Sequence, residues 1–245
     1  VLTMSGHSKW ANIKHKKEKT DAQRANVFTK IGKEIALAVK AGGGDPASNS
    51  KLRDLISKAK ANNVPNDNID RIIKKAMGSD SVNYEKVTYE GYGPCGIAVI
   101  VEATTDNRNR TAGEVRHFFD KFGGNMGQVG CVGFLFSDKG VIVVLREDVK
   151  SEDALMETAL EAGASDFVSD EETFEIYTEP DDLYSVRDAL EAAGYKIESA
   201  EMDKIPSTYV TLENEDDIKH MNLLLDNLED NDDVINVFHN WENCD

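Results

Sequence analysis

The chain has 245 residues, 40% of them hydrophobic, and a net charge of −17, enough to bury one large core or two to three small ones. No stretch approaches the roughly 18 consecutive apolar residues of a membrane span, the N-terminus lacks the apolar core of a signal peptide, and Cys95, Cys131 and Cys244 are too few and too scattered for a disulfide framework or a zinc pattern. The charge is divided: up to Met77 sixteen Lys and Arg face seven acids, a surplus of +9, whereas the remainder carries −26, so a polyanion is attracted to one end and repelled from the other.

In chain order, Val1 to Thr3 read as an upstream remnant before Met4, and the densest feature follows, Lys9 to Lys19. Lysine ammonium groups displace phosphate counterions whatever the base sequence. Trp10 either stacks on an exposed base or, as large aromatics more often do, anchors packing. His7 and His15 either contact phosphate or are ordinary surface histidines.

From Thr20 the apolar spacing is helical, with Phe28, Ile31, Ile35 and Ala38 or Val39 on one face and Gly42 to Gly44 as the stop. A second helix is predicted from about Ser50 to Lys60 on Leu52, Leu55, Ile56 and Ala59. A third opens at Pro65 and buries Ile69, Ile72, Ile73 and Ala76. The three form a small bundle with Lys-rich outer faces. Lys outnumbers Arg thirteen to three in this basic third, which favours point-charge contact with phosphate over bidentate reading of guanine.

After Gly78 the period becomes that of strands. Lys86–Tyr89 and Ile97–Val101 flank a Gly91, Gly93, Pro94, Gly96 turn cluster. A helix on Ala112, Val115, Phe119 and Phe122 ends at Gly123 and Gly124, and Val132, Phe134 and Phe136 alternate as a strand. At the start of that helix lie Arg108 and Arg110. They either reinforce anion binding by the helix N-terminus or form ion pairs beside an Asn109 cap.

Residues 140 to 203 give strand, helix, strand, strand, helix, strand, the order of a ferredoxin-like sandwich: strands Val141–Leu145, Asp166–Val168, Thr173–Thr178 and Ile197–Met202, with helices on Leu155, Ala159, Ala162 and on Leu183, Val186, Leu190, Ala193. Ala159 to Gly163 is echoed by Ala189 to Gly194. The C-terminal piece adds a strand on Thr208, Val210 and Leu212, a helix on Ile218, Met221, Leu225 and Leu228 capped by Asn214, and a strand Val234–Phe238. The fold class is therefore α+β: an N-terminal three-helix domain (1–78), then two ferredoxin-like α/β sandwich domains, the second (138–204) inserted into the first (79–137 plus 205–245).

Catalytic signatures are weak. Glu114 and His117 make half of a carboxylate metal site without a second half. Gly124 to Gly127 has GxxG spacing but reads better as a helix cap and turn. Gly91-Tyr92-Gly93 lacks the Gly-Lys-Ser of a phosphate loop. No cofactor or metal is expected. The candidate nucleic-acid contacts are Lys9, Trp10, Asn12, Lys14, His15, Lys16, Lys17, Lys19 and Arg24, with Arg108 and Arg110 as a second cluster.

Met4 to His15, the Ala41 to Pro46 turn, Tyr89 to Pro94, Asp106 to Thr111 and the Gly123 to Asn125 turn together resemble the YebC/PmpR family, over essentially all of the chain from Met4 to about Trp241. The resemblance implies a helical domain plus two α/β domains, and a non-enzymatic cytoplasmic regulator of transcription that binds promoter DNA. It also brings in relatives, the mitochondrial translational activator of cytochrome oxidase among them, tied to translation and to ribosomes stalled on proline-rich stretches. The expected partner is promoter DNA or ribosomal RNA, with the ribosome as a further candidate, no membrane, and a monomeric chain.

Overall fold

The computed structural model describes Trp10, Ile13 and residues 21–242. Helices α1 (Asp21–Gly42), α2 (Ser50–Ala61) and α3 (Asn66–Met77) come first. Ile31, Ile35, Ala38 and Val39 of α1 share one buried cluster with Leu52, Leu55 and Ala59 of α2, and with Ile69 and Ala76 of α3, as 3.6-residue spacing requires. Asn49 makes the first corner. Its Oδ1 accepts from Leu52 N at 3.1 Å to cap α2, while its Nδ2 donates to Ala38 O and Gly43 O, both at 2.9 Å, at the end of α1. Gly43, at φ +87°, supplies the left-handed step that stops α1. Pro65 is the N-cap of α3, one position earlier than predicted.

Two compact units follow from the contacts. One joins residues 21–133 to 212–239; the other joins 134–211 to Trp10, Ile13 and the chain from Asn240. The first contains an antiparallel sheet in the order β3-β1-β2-β8, from β1 (Glu85–Tyr92), β2 (Ala98–Thr105), β3 (Asn125–Met126) and β8 (Val234–His239). Helices α4 (Arg108–Lys121) and α7 (Glu215–Asp230) pack on it. β1 and β2 are paired along their whole length, Glu85 with Thr105 through Tyr92 with Ala98, across the tight turn in which Cys95 and Gly96 adopt φ 56° and 77°.

The second unit contains β4 (Phe136–Leu145), α5 (Glu152–Glu161), β5 (Asp166–Ser169), β6 (Thr173–Thr178), α6 (Leu183–Ala192) and β7 (Ser199–Pro206). Its order β5-β6-β4-β7 is wholly antiparallel, the ferredoxin-like arrangement predicted. Ile142, Val144, Phe174 and Ile176 are buried with Leu155 and Ala159 of α5 and with Leu183, Val186 and Leu190 of α6. The short sequence echo has a structural meaning. Both helices end in the same cap, with Ala164 N bonding Ala159 O and Tyr195 N bonding Leu190 O, around Gly163 and Gly194 at φ 108° and 93°. Strands of this sheet lie in sequence between β3 and β8 of the other, so the second sheet is inserted into the first, as expected.

Two strand predictions are corrected. The strand expected at Val132–Phe136 is instead a buried Val132 followed by a single 3-10 turn at Gly133–Leu135, and the strand after α4 is the two-residue β3. The cause is Glu90, buried at 4% exposure, whose carboxylate accepts N–H bonds from Gly130, Val132 and Gly133 and so removes those donors from any ladder. Likewise Thr208–Leu212 is not a sheet strand. Val210 forms an isolated parallel bridge with Trp241, because the position beside β2 is held by β1 through the shorter hairpin connection. Among the described residues no helix is long and apolar enough to cross a membrane.

Candidate nucleic-acid interface

Most of the predicted basic arm, Lys9, Asn12, Lys14, His15, Lys16, Lys17 and Lys19, lies outside the described residues. Trp10 and Ile13 do not. Spaced i, i+3, they pack on the face of the second sheet that bears Val141, Val143 and Tyr177, and the Trp10 indole N–H donates to Glu172 Oε2 at 2.6 Å. Trp10 thus has the packing role, with its polar edge satisfied. On the same face Tyr177 donates to Glu175 Oε2 at 2.6 Å. Burial first, and Glu175 second, hold that phenol well above its usual value, so it remains a donor.

Arg24 is exposed on α1. An asparagine and three lysines of α1 are turned to internal use. Asn26 Nδ2 donates to Asp230 O at 2.8 Å, Lys30 Nζ to Glu229 O, and Lys33 Nζ to Asp232 O at 2.9 Å. These three residues, about one helical turn apart, grip the C-terminal end of α7, where unpaired carbonyls and the helix dipole favour cations. Lys40 Nζ donates to Asn83 Oδ1.

Arg108 and Arg110 do not form a matched anion clamp. Arg108 is exposed and 3.6 Å from Glu85. Arg110 is held by Asp106 at 2.9 Å and Asp233 at 2.8 Å, bonds that raise its guanidinium further above its normal pKa. The cap of α4 is Asn107 rather than Asn109, because Asn107 has the extended backbone of a cap and its Oδ1 accepts from Arg110 N. Asp233, 3% exposed, also accepts from Lys33 Nζ at 2.5 Å and Thr111 Oγ1 at 2.8 Å. Burial alone would raise its pKa, but the bonds from Arg110, Lys33 and Thr111 outweigh it and bring the carboxyl down to about 2. The open crevice beside this cluster, about 670 Å³, carries Asp106, Glu114, Asp230, Asp232 and Asp233 against Lys33 and Arg110. That balance opposes a phosphate.

Glu114 accepts from Asn231 Nδ2 at 2.7 Å, and among the described residues no group of three His, Cys, Asp or Glu side chains could hold a metal ion. Gly124 lies in the turn after α4, with its N–H on Phe119 O, and a Cβ there would fall 2.1 Å from Tyr92 O. Close backbone approach accounts for this glycine.

Lys51, Arg53, Lys58 and Lys60 are all exposed on α2, and spacing alone does not distinguish them from Lys30 and Lys33, which are bonded to backbone and carboxylate oxygens.

Comparison with known proteins places these features in a family. Residues 8–79 match the family described as "TACO1/YebC protein N-terminal domain", and residues 84–241 match "TACO1/YebC second and third domain". A protein of Acetivibrio thermocellus named "Probable transcriptional regulatory protein" is 62% identical over 97% of this chain and 99% of its own. One of the same name from Ruminiclostridium cellulolyticum is 59% identical over 98% and 97%. The crystal structure of the conserved hypothetical protein Aq1575 from Aquifex aeolicus is similar at TM-score 0.84, with 47% identity, covering 96% of this chain and 97% of that one. With both family segments matched in order and nearly the whole chain covered, this chain belongs to the TACO1/YebC family.

Proposed function

We propose that the chain is a non-enzymatic, nucleic-acid-binding regulator of gene expression, acting on transcription by holding duplex DNA through its basic first third. The observation that carries this reading is the charge division, +9 up to Met77 against −26 beyond it, in a family whose members include proteins named as transcriptional regulators. In this reading residues 1–78 form the binding module, with Lys9, Lys14, Lys16, Lys17 and Lys19 on phosphates. Residues 79–137 plus 205–245, and 138–204, form two acidic domains that keep a polyanion to one end. Trp10 contributes by fixing the start of the arm.

A second reading, contact with ribosomal RNA, draws support from the thirteen-to-three excess of Lys over Arg in the basic third. Lysine grips phosphate as a point charge and leaves bases unread. Sedimentation of tagged full-length protein through a sucrose gradient of cell lysate, with and without RNase, decides between them. Recovery at the top in both conditions, together with retention on promoter DNA over a scrambled control, supports the transcription reading. Co-migration with ribosomal particles that RNase abolishes supports the RNA reading and removes the first.

A further inference from the structure

The two faces of the second sheet are unlike. Residues paired across an antiparallel ladder point to the same side, so Ile142, Val144, Phe174 and Ile176 share the face that meets α5 and α6. The opposite face joins Val141, Val143 and Tyr177 to four acids, Asp166, Glu175, Glu201 and Asp203. Among the described residues of these strands that face has one lysine, Lys139, which is bonded to Glu179. Such alternation belongs to an antiparallel sheet with one packed and one solvated face. The polar face is nevertheless covered. Every residue of β6 is buried, Glu175 at 2% exposure, and Trp10 and Ile13 of the N-terminal arm pack there. A face made for permanent cover would be apolar throughout. This one keeps the Glu175 carboxylate and, in Thr173, a buried hydroxyl with no hydrogen-bond partner among the described residues. Polar groups that regain water when the cover leaves offset part of its packing and make the contact reversible.

The segment seated on this face is its electrostatic complement. From Lys9 to Lys19 the arm carries five lysines and one acid, Glu18. Its Trp10 indole N–H is bonded to Glu172, in the turn between β5 and β6. Glu175 and Asp203 both add to the raised pKa of Tyr177, the residue on which Trp10 and Ile13 pack, so their charges face the same place. Lys9 and Lys14 directly adjoin Trp10 and Ile13 in sequence, and the covalent chain holds neighbouring Cα atoms about 3.8 Å apart. While Trp10 and Ile13 are seated, a phosphate brought to Lys9 or Lys14 approaches the four carboxylates as well, and like charges oppose it. The arm therefore serves one polyanionic partner at a time, the sheet face or an external ligand.

We propose that the acidic face of the inserted sheet is an internal docking site for the chain's own basic arm, and that a nucleic acid must displace the arm from this face to engage its lysines. The proposal rests on the nucleic-acid reading given above and adds a regulatory contact to it. The docked chain is autoinhibited, and the apparent affinity for nucleic acid is the intrinsic affinity reduced by the fraction of chains whose arm is free. Trp10 and Ile13 hold the docked state and are not contacts to the ligand.

The test uses full-length protein with a DNA duplex and an RNA duplex of the same sequence. Labelled duplex reports binding by anisotropy, and unlabelled duplex is titrated against Trp10 emission in a Trp241→Phe background. Trp10 emission should shift to the red, with greater acrylamide quenching, over the concentration range in which the duplex binds. Glu201→Gln with Asp203→Asn, and separately Trp10→Ala, should each tighten binding several-fold by raising the free fraction. Asp181→Asn with Asp182→Asn removes the same charge from exposed positions in the turn before α6 and should change affinity less. Binding by the docking variants alone, with none by the wild type, supports the proposal in its strongest form. Unchanged Trp10 emission while the duplex binds overturns it and leaves the nucleic-acid reading intact. Equal gains in the two acidic pairs overturn it by assigning the effect to net charge, and weaker binding by Trp10→Ala overturns it by placing Trp10 in the bound state. Absence of binding to either duplex by the wild type and every variant overturns both readings.

Discussion

Lys33 Nζ lies 2.5 Å from Asp233 Oδ1, joining the middle of α1 to the turn between α7 and β8. Arg110 and Thr111 bond the other carboxylate oxygen of Asp233. The side chains of Lys33 and Asp233 are 12% and 4% exposed, so this pair is screened little and is matched on both sides. It is one of several polar ties that α1 makes to the end of α7 and the turn after it.

Asp233→Asn should therefore lower unfolding free energy by about 3 kcal/mol, because removing one partner leaves Lys33 and Arg110 with an uncompensated charge. Urea unfolding at neutral pH measures it. Lys33→Gln should also destabilise, by about 1–2 kcal/mol, while leaving the salt dependence of nucleic-acid binding unchanged. A reduced salt slope in that variant would place Lys33 on the ligand.

The same carboxyl predicts a pH dependence. Its folded pKa is depressed from 3.8 to about 2, so its contribution is present above the unfolded value and is lost as pH falls from about 4 through about 2. The difference in stability between wild type and Asp233→Asn should shrink by about 2 kcal/mol over that window. Urea midpoints taken at steps through the window give the measurement, and a constant difference would remove Asp233 from the titrating groups.

Glu90 is predicted to hold the loop of residues 127–133. In Glu90→Gln an amide NH₂ would face N–H donors of Gly130, Val132 and Gly133, at a cost of about 1–3 kcal/mol. Amide exchange at those three residues should accelerate more than exchange in β1 or β2. Uniform protection in the variant would show that the loop is held by other contacts.

Trp10 should report the anchoring of the arm. In a Trp241→Phe background, where Trp10 is the sole tryptophan, Glu172→Ala removes the acceptor of its indole N–H. Emission should shift to the red and acrylamide quenching should increase. Unaltered emission would mean that apolar packing on Val141, Val143 and Tyr177 suffices.

Gly124→Ala should destabilise by at least about 2 kcal/mol, since its Cβ would fall 2.1 Å from Tyr92 O and 3.0 Å from Gly93 Cα, both backbone atoms that cannot swing aside. A thermal melt indistinguishable from wild type would show that the turn can open.

What could be read from sequence was what short-range physics decides. The apolar stripes of α1 and α2, the stop of α1 at Gly42 to Gly44 and the β1–β2 turn each depend on neighbours a few residues away. What could not be read depends on partners far along the chain. Val132, Phe134 and Phe136 alternate as a strand does, but Glu90, some forty residues earlier, takes the amides that such a strand would need. Thr208 to Leu212 has strand spacing, but β1 already occupies the position beside β2. The candidate site shows the same limit: nothing local distinguishes the lysines of α1 from those of α2, and the oxygens that hold Lys30, Lys33 and Lys40 belong to Glu229, Asp232, Asp233 and Asn83, far along the chain.

The central claim is that the basic first third binds nucleic acid, and the salt dependence of binding by the intact chain tests it most directly. Full-length protein should bind a labelled duplex at low salt with a steep negative slope, and Lys14→Ala with Lys16→Ala and Lys17→Ala should flatten that slope by roughly 2.7 for DNA, the worth of three phosphate contacts. A slope near zero in the wild type, or an unchanged slope in the triple variant, would contradict the account.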